Sequence, residues 1–330
     1  MKRWDIAQMF DAAHKLFANI YKRKHHAHHN HDIHHLARES DQWLPQSIQS
    51  LAEGAYDPRC LKRYYFSDEV VDQLHLSDRI LQHVLLKQLK STFKHVVNQN
   101  CYHLAGPTGV KYATERIKRA LLEEQPNYII RADIKSFYKS IPHYKLIEDI
   151  KKYYDDQKVQ AMLERIIKNP IDTPRGYINP SFGIALRGPL SQFFSAIYLK
   201  PLDDAFNNMN ITYVRFQDDL LILCKTKRQL NRCRRVMYEI LHERQLSLSR
   251  KKSRMGCIKS GFHFLGIHYF PTQMENNTNV KHVNDDSIAP DAVYSLVNGG
   301  GVTRHQIIKQ ALYALFRIRE HCVKQGCKYS

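Results

Sequence analysis

The 330-residue chain contains no C-x-x-C pair; its seven cysteines, at 60, 101, 224, 233, 257, 322 and 327, are scattered and odd in number. A disulfide framework and a thiolate zinc site are therefore excluded as the basis of the fold, and the cysteines are expected to be reduced. Long apolar runs are missing as well. No stretch approaches the roughly 20 residues needed to span a bilayer, and nothing after Met1 reads as a signal peptide, so a cytoplasmic protein without a membrane partner is expected. Internal repeats are absent. Acidic residues are scarce, 32 against 50 Lys+Arg, and the resulting formal charge of +18 attracts polyanions, nucleic acid first among them. What is present suffices for a core: 43% of residues are hydrophobic, enough for one large domain or two to three small ones.

Two segments are biased in composition. Residues 24–35, KHHAHHNHDIHH, hold seven histidines. The pairs His25/His29 and His31/His35 would share a helical face as metal ligands if the segment were helical; otherwise it is a solvated loop that gains charge as pH falls toward about 6.5. Residues 271–291 are polar and read as a linker before a last helix that begins near Thr303 and buries Ile307, Ala311, Ala314 and Leu315.

Between these segments the periodicity alternates. Apolar spacing predicts amphipathic helices over 7–20, 79–95, 143–154, 191–206 and 228–244. YIIRADI (128–134) reads as a strand. ITYVRF and LLILC read as two strands of a hairpin joined at Gln217-Asp218-Asp219, and FHFLGIHYF as a further strand. The order implies a mixed sheet covered on one side by helices.

Three carboxylates stand out within this pattern. Asp133 ends a strand, and Asp218 and Asp219 lie in the hairpin, so neighbouring strands bring them together. Clustered like charges repel by several kcal/mol, which a cation relieves. Oxygen ligands select a hard ion such as Mg²⁺, and two such ions suit in-line phosphoryl displacement. Asp133 and Asp218 are the expected shared ligands, with Asp219 in support. Taken alone, an Asp-Asp turn is more often solvated punctuation. Residues 225–259 carry twelve Lys+Arg and two Asp+Glu, so a positive flank that includes Lys225, Arg228, Arg250 and Lys251 is expected beside the carboxylates, as a phosphate track. LKRYYF (61–66) interleaves aromatic and basic residues and suits base stacking.

In order, RADIKSFYKSIPH, GIALRGPLSQFFSAIYLKPLD, YVRFQDDLLIL, LSLSRKKSR and GFHFLGIHY resemble the successive palm motifs of bacterial reverse transcriptases. SDRILQHVLL and CYHLAGPTGVKYA resemble the fingers of that family. The ending SQ followed by FFSAIYL is most similar to enzymes of diversity-generating retroelements, with group II intron-like and defence-associated enzymes as neighbours. The resemblance implies an α+β, right-hand polymerase fold: helical fingers, an antiparallel-sheet palm covered by helices, and a short helical thumb. Its divisions fall at 1–50 (helical, His-rich extension), 51–127 (fingers), 128–270 (palm, interleaved with the fingers) and 271–330 (linker and thumb).

It also implies site roles. Asp133, Asp218 and the Ile134 carbonyl would hold two Mg²⁺ ions, for which Mn²⁺ substitutes, with Asp219 beside them. Tyr138 would be the aromatic gate against a ribose 2′-OH, and Lys252 the proton donor to pyrophosphate, a role that Lys251 rivals. Arg187, Gly188, Gln192 and Phe216 would surround the nucleotide. The chain departs from the family's pattern in several places. Phe216 replaces a tyrosine, Arg187 a glycine and Leu186 a frequent glutamine, while the fingers lack their usual cations, leaving Lys62, Arg63 or Arg79 to meet the triphosphate. The implied activity is RNA-directed DNA synthesis in a diversity-generating or anti-phage system, which outranks intron mobility because about 60 residues follow Phe270. RNA template, DNA or RNA primer, dNTPs, a small non-coding RNA and an accessory protein are the implied partners. The alternatives are a non-catalytic RNA-binding scaffold and a template-independent or protein-primed polymerase.

Overall fold

In the computed structural model the described residues are 4–29, 31–66, 70–93, 96–185 and 188–270. The expected linker at 271–291, the helix from Thr303 and with it the thumb lie outside the described residues, as do Leu186 and Arg187.

Helix α1 (Ile6–Lys24) starts where the Asp5 carboxylate accepts the Gln8 N–H, and it buries Met9, Ala13 and Phe17 on one stripe. Helices α2 (Asp32–Arg38) and α3 (Ser40–Ala52) pack beside it. The histidine segment is thus neither one loop nor one helix. His25 lies past the end of α1 and His31 caps α2, so neither histidine pair shares a helical face. The His31 ring is already engaged, its Nδ1 accepting the Ile33 N–H at 3.1 Å and its Nε2 lying 3.2 Å from Lys24 Nζ.

Strands β1 (Leu61–Tyr65) and β2 (Val70–Gln73) pair antiparallel, followed by α4 (Leu76–Thr92) and α5 (Gly109–Arg119). Next come β3 (Tyr128–Asp133), α6 (Phe137–Ser140), α7 (His143–Tyr153) and α8 (Gln157–Ile167). Strands β4 (Ile171–Thr173) and β5 (Gly176–Ile178) return to β1, so residues 61–73 and 171–178 share one sheet in the order β2-β1-β4-β5. The predicted helix over 191–206 is two, α9 (Ser191–Tyr198) and α10 (Lys200–Asn207), which break at Leu199 because Pro201 has no N–H to continue the ladder.

The central sheet follows: β6 (Thr212–Phe216), β7 (Asp219–Cys224), α11 (Lys227–Glu243) and β8 (Arg254–Cys257), with sheet order β6-β7-β3-β8, all antiparallel. FHFLGIHYF is not one strand but a hairpin, β9 (Phe262–Phe264) and β10 (Ile267–Tyr269), turning at Leu265-Gly266, both with positive φ.

The sheet is covered on both faces, not one. Ile130, Ala132, Leu220, Ile222 and Cys224 point into the main core with α11, while Ile129, Val214, Leu221 and Leu223 join a second core with α5 and the β9–β10 hairpin. Strands buried on both sides lose the apolar–polar alternation from which a single covered face would be read. Within this frame the register sets Asp133 directly opposite Asp219. By strand alternation both share the face of the second core.

Candidate active site

The hairpin loop between β6 and β7 has two residues, Gln217 and Asp218, with φ +58° at Gln217 and not at Asp218, the pattern of a type II′ turn. Such a turn matches the twist of the strands but favours glycine at its first position, so a glutamine there needs outside support. The turn and the end of β3 are tied together: Ile134 N–H donates to the Asp218 carbonyl at 3.3 Å. On the other edge, Ser249 N–H donates to the Asp133 carbonyl at 2.8 Å, and the Ser253 hydroxyl accepts the Asp133 N–H at 3.2 Å. Asp133, Asp218, Asp219 and Ile134 are therefore neighbours at one end of the sheet.

Electrostatics at that end are unfavourable to charge. Burial and the Asp133 charge hold the Asp218 carboxyl above the usual range. Burial, then Asp218 and Asp133, push Asp219 up to about 6. The Asp133 carboxylate is met by the Lys252 ammonium, 3.0 Å from Oδ2 and 3.3 Å from Oδ1, with half of the lysine side chain exposed. Of the two candidate lysines, Lys252 is the one placed on a carboxylate. Among the described residues no three His, Cys, Asp or Glu side chains are gathered into a metal-holding group. The donor set nevertheless fits a hard divalent cation. It consists of carboxylate oxygens whose mutual repulsion a cation would relieve, one of them already drawing an ammonium.

A stability prediction follows from Asp219. Its folded-state pKa is raised, so the folded protein binds more protons than the unfolded chain between pH 3.8 and about 6; stability falls across that window and the full penalty applies above it. Asp219→Asn is expected to stabilise the metal-free protein above pH ~6.5 by up to about 3 kcal/mol, a few degrees in Tm, and to have no effect near pH 3. Thermal melts in chelator at the two pH values check this, and the gain should shrink when Mg²⁺ is added.

Around the carboxylates, Tyr138 is buried in the main core; burial first, then the Asp218 charge, raises the pKa of its phenol. Phe216 ends β6 and packs edge-on against His103, centroids 6.2 Å apart. Gly188 fills a tight turn: a Cβ there would lie 3.0 Å from Ser191 Oγ and 3.2 Å from the Ala185 carbonyl. Gln192 exposes its side chain at the start of α9. A cavity of about 380 Å³ opens between this loop and the β1–β2 hairpin, lined by Arg63, Asp72, Lys139, Gly183, Gly188 and Ser191.

The cations are more dispersed than their order in the sequence suggests. Arg63 lines the cavity but is held by both Asp72 oxygens, at 2.7 and 2.9 Å. Arg79 is half-buried and lies close enough to Lys24, at the end of α1, to lower the lysine's pKa after burial. Lys62 is exposed, with its Nζ 5.9 Å from the Tyr64 ring. The expected single positive flank is divided. Helix α11 packs through Leu230, Cys233 and Met237 on the main-core face, opposite to the face of Asp133 and Asp219, and Lys225 and Arg228 lie beyond the far end of β7, about 17 Å along the strand from Asp219. Arg250 and Lys251 are exposed in the turn that carries Lys252. Sequence reasoning missed two groups here. The Arg215–Asp203 pair is fully buried behind the turn, and His103 touches the turn itself; strand periodicity hides the first, and a lone histidine in a Gly/Pro-containing loop carries no signal for the second.

A family model for reverse transcriptase (RNA-dependent DNA polymerase) matches residues 70–269. Among solved structures, telomerase from Candida albicans in complex with a TWJ fragment of telomeric RNA aligns with TM-score 0.51 and 12% identity, over 69% of this chain and 48% of that one. Apo telomerase from Candida tropicalis aligns with TM-score 0.50 and 12% identity, over 64% of this chain and 47% of that one. At this identity the likeness is one of fold, and the chain spans about half the length of those structures. No curated protein matches.

Proposed function

The chain belongs to the reverse transcriptase family, and on that footing we propose that it synthesises DNA on an RNA template: a primer 3′-OH attacks the α-phosphate of a deoxynucleotide and pyrophosphate leaves. The observation that carries the reading is the backbone adjacency of the three aspartates, Asp133 opposite Asp219 across β3 and β7 and Asp218 in the adjoining turn, with Lys252 on Asp133. Two Mg²⁺ ions, or Mn²⁺ in their place, held by these carboxylates and the Ile134 carbonyl would lower the pKa of the attacking hydroxyl and stabilise the leaving oxygen.

The chain's own groups supply the rest. Asp218 and Asp219, disfavoured as anions while bare, provide the negative charge that draws the cations in. Lys252 protonates the departing pyrophosphate. The Tyr138 ring, held by its packing in the main core, excludes a ribose 2′-OH, and Gly188, Gln192 and Phe216 bound the nucleotide with Arg187. Arg63 faces the triphosphate from the cavity, and Arg250 and Lys251 hold primer–template phosphates, with Lys225 and Arg228 farther along. We place the protein in the bacterial cytoplasm, in a diversity-generating or anti-phage system, with a small non-coding RNA and an accessory protein as partners.

Purified protein given primed RNA, dNTPs and Mg²⁺ is expected to extend the primer with complementary sequence. Tyr138→Ala is expected to raise ribonucleotide incorporation about tenfold relative to deoxynucleotides. Absence of product from the wild-type protein defeats the proposal, and a product unrelated to the template supports template-independent synthesis instead. Arg187 in place of a glycine, and fingers short of cations with Arg63 already held by Asp72, favour one second reading, a scaffold that binds structured RNA without chemistry. Under it, RNA affinity and cellular effect survive in an Asp133→Ala/Asp218→Ala double variant.

A further inference from the structure

His103 is fully buried beside the catalytic turn and belongs to none of the roles above. Residues 100–103 run along the free edge of β6. Cys101 bridges Arg215 in parallel, and Arg215 N–H donates to the Asn100 carbonyl at 2.9 Å. The next N–H on that edge belongs to Gln217, and a continued parallel ladder would offer it the Tyr102 carbonyl. That carbonyl is packed against Gly109 instead, so closely that a Cβ there would lie 2.2 Å from it. The His103 ring takes its place: Nδ1 accepts the Gln217 N–H at 3.1 Å.

The opposite ring nitrogen faces helix α9. Nε2 lies 3.0 Å from the Gln192 carbonyl and 3.3 Å from Ser195 Oγ, while the Ser195 hydroxyl itself donates to Gln192. A backbone N–H only donates and a carbonyl only accepts, so the tautomer is fixed, with the proton on Nε2. Burial and the nearby Arg215 charge push the ring's pKa down to about 3, which keeps it neutral. From the other side, Arg215 Nη1 donates to the Gln217 carbonyl at 3.3 Å. Gln217, which carries the unfavourable positive φ, is therefore gripped at both its backbone N–H and its backbone C=O.

We infer that His103 is a positioning residue: it holds the turn that presents Asp218 and locks that turn to the Gly188–Gln192 segment at the nucleotide side of the cleft. The inference rests on the polymerase reading for its effect on rate, but not for the hydrogen bonds it names. His103→Phe fills the ring's volume without an acceptor, and His103→Asn keeps an acceptor near the Nδ1 position.

Amide hydrogen exchange at Gln217 is the direct readout, alongside kcat and KM on primed RNA. In His103→Phe, protection at Gln217 is expected to be lost and kcat to fall about 10- to 100-fold, with template affinity and KM for dNTP within about twofold of wild type. In His103→Asn, protection and most of kcat return. Wild-type protection or wild-type kcat in the phenylalanine variant overturns the inference, as do equal losses in both variants that follow their melting temperatures. Should the phenylalanine variant fail to fold, fast exchange at Gln217 in the wild-type protein overturns it, and slow exchange with a kcat above one-tenth of wild type in His103→Asn upholds it. A wild-type protein that extends no primer defeats the polymerase reading, while exchange at Gln217 still decides whether His103 holds the turn.

Discussion

Asp133→Ala and Asp218→Ala are each expected to lower primer extension by at least about 10³-fold, a loss of about 4 kcal/mol in transition-state stabilisation, with RNA affinity little changed. The reason is the concentration of charge at one end of β3 and β7. In the proposed reaction negative charge builds on the transferred phosphate's oxygens, and these carboxylates would hold the cations that balance it. Stability should move the other way. Asp218 is destabilised as an anion by burial and by Asp133, so its removal relieves the metal-free protein; Asp133→Ala leaves Lys252 unpaired but half exposed, at little cost. Single-turnover extension and thermal melts on the same preparations separate the two effects. A variant that retains more than about one-tenth of wild-type kcat removes that aspartate from the chemistry.

The second large effect lies behind the site. Arg215 and Asp203 are fully buried, with Arg215 Nε 2.7 Å from Asp203 Oδ1, Nη2 on Oδ2, and the Tyr213 hydroxyl donating to Oδ1 at 2.7 Å. Burial works against the guanidinium's charge, but Asp203 outweighs it and holds the arginine firmly protonated. Breaking such a pair strands a charge where water cannot reach it. Arg215→Met is therefore expected to destabilise by about 3–5 kcal/mol, roughly 10 °C in Tm. Arg215→Met combined with Asp203→Leu should cost distinctly less, because no lone charge remains. Denaturant unfolding of the two variants tests this, and a double variant as unstable as the single one rules out stranded charge as the cause. Because Arg215 also donates to Gln217, the single variant should lose activity at temperatures where it is still folded.

Much of this was legible in the chain itself. Asp133 and the Gln217-Asp218-Asp219 junction were readable because β-branched and apolar residues surround carboxylates that would otherwise be costly, but the register was not: the turn has two residues, not three, and Asp219 belongs to β7 opposite Phe216. Boundaries failed where one residue outweighs a pattern: Pro201 splits a helix, and Leu265-Gly266 folds a strand back on itself. Charge was readable in amount but not in direction. Residues 225–235 and 250–254 are close in sequence, yet α11 crosses to the opposite face of the sheet and only the second group remains beside Asp133. The sheet contributed by 61–73 and 171–178, and the His103 and Arg215 contacts, join residues about a hundred positions apart or sit inside a strand, where local pattern carries no trace of them.

Coverage of the central sheet on both faces has a further consequence. Along most of β3 and β7 every position is committed to close packing, so those strands have little latitude to vary without loss of density. At the tip, Asp133 adjoins the connector 247–254, and the turn at Gln217 adjoins residues 100–103. Variation at this end of the sheet therefore falls on the connectors, which can change in length and chemistry without repacking the interior.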